Sequence, residues 1–88
     1  MTPHQSEMAF AMNMAMHANL TALAYQLDDA RRLVANARDA MEIKNRNLAV
    51  GTVLPLERIL PQCDTLLRSV IALQCWRNQL PEQQGGAV

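Results

Sequence analysis

Aromatic residues are nearly missing from this 88-residue chain: one Phe, one Tyr and one Trp make up 3% of it. A core of stacked rings is excluded, so the filling must come from Ala, Leu and six Met. These residues favour helices, and little β-branched material is left to build strands. Glycine and proline are scarce where they would matter most, since neither occurs between Pro3 and Gly51. Nothing in that stretch obliges a helix to stop. A charge excess is missing as well. Eight basic and eight acidic residues cancel and the pI is about 6.7, which removes any general attraction to nucleic acid or anionic lipid. Lysine occurs once, as Lys44; the remaining basic residues are Arg.

Cysteine is limited to Cys63 and Cys75. Within one predicted helix they are too far apart to bridge, so reduced thiols and a cytoplasmic location are expected. The chain has no cationic start of the secretory kind. Its first apolar run is interrupted by Asn13, His17 and Asn19, which excludes a membrane span, and no membrane partner is expected.

What is present is a folded composition, 50% hydrophobic and 18% charged, in a length that suits one small domain. Apolar residues recur at Leu20, Leu23, Leu27, Ala30, Val34, Ala37 and Met41, in steps of three and four, the seam of one helix packed along another. Thr2 as N-cap, Pro3 at the first helical position and Gln5 reaching back form a start signal. The spacing predicts one helix over about residues 3–48, roughly 70 Å long. Its charged face offers Asp28–Arg32, Arg38–Glu42 and Glu42–Arg46 as pairs four apart, each contributing about 0.2–0.5 kcal/mol.

Asn45, Asn47 and Gly51 signal the helix end, with Gly51 the expected left-handed cap. A link over about 49–54 follows, with Leu54 pushed out of the α region by Pro55. A second helix is predicted over about 55–80, kinked at Pro61, with its seam at Leu56, Ile59, Cys63, Leu66, Val70 and Leu73. Leu60, Leu67 and Ile71 widen that stripe beyond a two-helix seam. Leu80-Pro81 ends the helix; residues 1–80 form the single domain and 81–88 a flexible tail.

The second helix, roughly 39 Å long, covers only part of the first. The expected fold is therefore all-α, a long helical hairpin that self-associates into a four-helix-bundle-like homodimer and so covers residues 8–23. The alternative is a three-helix bundle with a break near residues 17–20, where Asn19 or Thr21 would cap a new helix.

No chemistry-bearing motif is present. His4 and His17 have no partner at ligand spacing, and no glycine-rich phosphate loop, serine elbow or zinc-type cysteine pair occurs. No enzyme, cofactor or metal is expected. Met8, Met12, Met14 and Met16 with Phe10 form an adaptable apolar run of the kind used to accept another protein's helix. Trp76 is a second candidate anchor. With Leu60, Leu67 and Ile71 these residues are the candidate partner or dimer surface. Arg31, Arg32, Arg38 and Arg46 are the candidate phosphate contacts of the alternative, a nucleic-acid-binding regulatory dimer. The expected function is a small non-enzymatic protein–protein interaction module that acts on an unidentified protein as adaptor, co-chaperone, inhibitor or regulator.

Overall fold

The computed structural model describes residues 3–78. Three helices follow one another: α1 over Pro3–Glu42, α2 over Arg46–Val53 and α3 over Leu56–Asn78. They form a hairpin of two arms, α1 against the bent pair of α2 and α3. The molecule extends 62 Å by 18 Å by 17 Å. Its long dimension is that of α1 alone, since forty residues at the α-helical rise give about 60 Å.

Three short-range features place the turn. Ala40 accepts from the backbone N–H of Asn45 at 2.9 Å and Met41 from that of Lys44 at 2.8 Å. This is the double-bonded helix ending in which the residue after the cap turns left-handed, and Lys44 does so with φ 60°. Asn45 then caps α2, its side-chain oxygen accepting from Leu48 N–H at 3.1 Å. Helix one therefore ends six residues earlier than the predicted 48, and Gly51 is not the left-handed cap: it lies inside α2 and its φ is not positive.

The predicted link over 49–54 is likewise helix for most of its length. Leu54 keeps α-region angles, φ −53° and ψ −39°, and its N–H bonds the Val50 carbonyl at 3.1 Å. The continuing helical bond outweighs the steric preference that Pro55 imposes. Glu57 N–H bonds Leu54 and Ile59 N–H bonds Pro55, so the chain bends between α2 and α3 without opening into a loop. α3 runs through Pro61, whose ring lies on the exposed side.

Moving the turn to residues 43–45 lengthens the returning arm. α3 reaches back far enough for Leu73 and Trp76 to line a recess with Ala15 and Asn19. Residues 8–23 are thus not left bare, and Met12 is 5% exposed. Nor is there a break near 17–20, since α1 continues through it and Thr21 bonds back to the His17 carbonyl at 2.9 Å. The predicted Thr2 cap and the end at Leu80-Pro81 with its 81–88 tail lie outside the described residues, as does the Gln5 side chain.

The buried row on α1 is Met12, Met16, Asn19, Leu23, Gln26, Ala30, Leu33, Ala37 and Ala40, strictly alternating in steps of four and three. On the returning arm it is Ala49, Val53, Leu56, Ile59, Cys63, Leu66, Val70 and Leu73. Ala30 packs with Ile59 and Cys63, supported by Leu23, Leu33 and Leu56. Ala37, Ala40 and Ala49 form the second cluster, against Val53. Small side chains at the α1–α2 contact let the two backbones approach closely, which is what a tight turn between parallel-sided arms requires.

Candidate interaction surface

Four of the seven residues of the predicted α1 seam are not in the seam. Leu23, Ala30 and Ala37 face the returning arm, whereas Leu20, Leu27, Val34 and Met41 are about half exposed. These four stand seven residues apart and make a second row along α1, rotated roughly a quarter turn from the buried one. Asn19 and Gln26 take the inner positions in place of Leu20 and Leu27 because the axis of contact is set by Ala30, Ala37 and Ala40, and the polar pair lies on that line.

The returning arm carries a matching row. Leu60, Leu67 and Ile71 are exposed, as the sequence indicates. Leu27, Val34 and Leu60 line one shallow groove together with Leu56, Arg31 and Arg38. Val34 and Met41 line its continuation with Val50 and Val53 of α2. Both rows therefore open on the same side of the hairpin, and Leu67 and Ile71, seven and eleven residues from Leu60, extend that side along α3. The opposite side is lined by Ala22, Gln26, Pro61, Gln62, Thr65 and Leu66, then by Ala15, Asn19, Ser69, Ala72, Leu73 and Trp76. Large exposed aliphatics line the first side; the second carries smaller and polar side chains around Trp76.

The remaining predicted residues are distributed differently. Met12 is buried, Met8 and Met16 are half-buried, and only Phe10 and Met14 of the Met-rich run are well exposed. By helical spacing Phe10 and Met14 lie on the outer side of α1 with Tyr25, away from the aliphatic face. Trp76 is half exposed on the opposite side. The Met-rich run and Trp76 thus do not join Leu60, Leu67 and Ile71 in one patch.

Charges also separate by side. Arg31 and Arg38 border the aliphatic groove, while Arg32 is roughly 100° round the helix from Arg31 and Arg46 starts α2 at the turn. Arg31 pairs with Asp28 at 3.4 Å and Arg32 with Asp29 at 3.7 Å. These three-apart pairs replace the predicted Asp28–Arg32, and the end of α1 at Glu42 removes the helical spacing between Glu42 and Arg46. Arg38 pairs with no described residue, Glu42 included. Arg68 Nε donates to Asp64 at 2.9 Å; this hydrogen bond, with the attraction of the carboxylate, raises the guanidinium above its ordinary value. The four candidate phosphate contacts therefore do not converge.

Among the described residues no group of three His, Cys, Asp or Glu is placed to hold a metal ion, and no helix is long and apolar enough to cross a membrane. Cys63 is buried in the seam and Cys75 exposed, both unbridged. Compared with known proteins, the chain matches no family model, no curated protein and no solved structure.

Proposed function

We propose that the chain is a non-enzymatic protein–protein interaction module whose working surface is the aliphatic side of the hairpin. The observation that carries this reading is the pair of rows at helical spacing, Leu20, Leu27, Val34 and Met41 on α1 with Leu60, Leu67 and Ile71 on α3, left half exposed while alanines fill the seam. Apolar residues repeating every seven positions are the pattern by which helices accept other helices. Singly exposed apolar residues, such as Tyr25, are ordinary on a monomer, whereas adjoining rows of this length mark an interaction surface. The partner's contact element is therefore helical, and adaptor, co-chaperone and inhibitor are the roles this geometry serves.

The test compares wild type with Val34→Asp/Leu67→Asp and with Ala22→Asp/Thr65→Asp on the opposite side, each checked for helix content by circular dichroism. Loss of self-association or of protein capture only in the first variant is the expected result. Equal behaviour of the two variants would refute the reading. Binding of mixed RNA or duplex DNA at low salt, lost on changing Arg31 and Arg38 to Ala, would instead favour a nucleic-acid-binding regulatory dimer.

A further inference from the structure

We infer that the occupant of the aliphatic side is a second copy of this chain, laid so that α1 of each copy covers α3 of the other. The inference rests on the interaction-module reading and adds to it the partner and the arrangement. Two observations carry it.

The first is area. The seven aliphatic residues of the two rows, with Val50, are each about half exposed on one side of the hairpin. Together they offer a contiguous apolar face on the order of the roughly 800 Å² that each partner contributes to a stable interface. A two-fold axis along the hairpin superposes the full length of both aliphatic sides and turns two arms into four, a bundle with an enclosed core.

The second is charge, which selects among the ways two such sides can meet. The exposed row of α1 is edged by Arg31 and Arg38, and that of α3 by Glu57 and Asp64. Covering α1 with α1 would bring the arginines of two copies together and, on the other arm, the acids together. Covering α1 with α3 sets arginine against carboxylate on both sides of the pair. Heights agree for Arg31. Ile59 packs on Ala30 and the arms are antiparallel, so Glu57 lies about 2 Å from the level of Arg31 and Asp64 about 9 Å to its other side, while Arg38 stands about 9 Å beyond Glu57 along the axis. A two-fold parallel to the helices preserves those levels between copies. Arg38 and Glu57 pair with no other described residue within the chain and are available across such an interface, whereas Arg31 and Asp64 would share their exposed partners Asp28 and Arg68 with it.

The experiment uses the full chain and light scattering over a micromolar dilution series, with helix content followed by circular dichroism. Wild type is expected at twice the 9.8 kDa chain mass. Leu27→Asp/Leu60→Asp is expected to run as a helical monomer. Arg31→Glu/Arg38→Glu is expected to raise the dissociation constant about tenfold or more, since several pairs become repulsive at once. Adding Glu57→Arg/Asp64→Arg to that variant exchanges the signs of both arms and is expected to restore the affinity. If α1 instead covers α1, neither set of charge changes alters the sign of any contact, and an unchanged dissociation constant in both overturns the arrangement. A wild-type chain that stays monomeric and helical throughout overturns the second-copy inference while leaving open a different protein partner. A dimer that survives Leu27→Asp/Leu60→Asp overturns the use of this face altogether, and the interaction reading with it.

Discussion

Lys44 is the one described non-glycine residue with a positive φ, and replacing it tests the account of the turn. A left-handed conformation costs an L-residue roughly 1–2 kcal/mol, because Cβ crowds the following carbonyl. Glycine has no Cβ but loses more backbone freedom on folding, about 0.5–1 kcal/mol. The difference makes Lys44→Gly stabilising by about 0.5–1 kcal/mol. The two bonds that close the ending, from Lys44 to Met41 and from Asn45 to Ala40, use backbone atoms only and survive the change. For a chain of this size that gain corresponds to a rise of roughly 2–8 °C in Tm. Thermal unfolding followed by circular dichroism is the assay, run at two protein concentrations so that association does not enter the comparison. Lys44→Ala, which keeps the Cβ, should show no such rise. A Tm that is unchanged or lowered in Lys44→Gly would mean that residue 44 is not left-handed and that α1 does not end where described.

Gly51→Ala should stabilise by up to about 1 kcal/mol in urea unfolding, because Gly51 lies inside α2 with ordinary φ and a methyl group there meets nothing within 4 Å. Asn45→Ala should cost about 1 kcal/mol in the same assay, through loss of the bond its side chain accepts from Leu48 N–H, while Asn45→Asp should retain most of it. Ala40→Leu should destabilise by about 1–3 kcal/mol although it adds apolar surface, since Ala40 is 4% exposed between Ala37 and Ala49 and has no room to expand. A neutral or stabilising result at residue 40 would show that α1 and α2 are not held in close contact by small side chains.

The returning arm was legible and the first arm only in part. Leu56, Ile59, Cys63, Leu66, Val70 and Leu73 are the buried line that spacing indicates, because α3 has one unambiguous apolar stripe there and a separate one at Leu60, Leu67 and Ile71. On α1 two lines share Leu23, Ala30 and Ala37. Spacing cannot choose between a partner line of Leu20, Leu27, Val34 and Met41 and one of Asn19, Gln26, Leu33 and Ala40, and hydropathy favours the wrong one. The close approach that alanines permit decides it. The turn was missed for a related reason. Glycine is the usual left-handed residue, yet Gly51 is the second turn of α2 and a lysine takes the strained position. Asn45 three residues before Leu48 is the signal of a helix start, although Asn serves as readily at a helix end. Placing the end at 48 rather than 42 shortens the returning arm and leaves the Met-rich segment without cover.

The placement of the larger aliphatics outside a seam of alanines has an energetic consequence that links stability to association. An alanine seam contributes little by transfer, whereas burying the remaining half of a Leu, Val, Ile or Met side chain is worth about 1 kcal/mol. Seven such residues on the two rows, with Val50 between them, hold about 8 kcal/mol per chain in reserve, hence about 16 for a pair. Losing rigid-body freedom on association costs about 4–15 kcal/mol, so pairing is favourable once side-chain ordering at an already helical surface is small. The reserve is of the same order as the whole stability of an ordinary domain. A second copy that binds only the folded hairpin then raises its apparent stability by mass action. The rows that serve as the interaction surface also supply the apolar burial that the alanine seam lacks, and for this reason a polar change at Val34 or Leu60 lowers the apparent folding stability at concentrations above the dissociation constant, where association contributes to it, and leaves it nearly unchanged below.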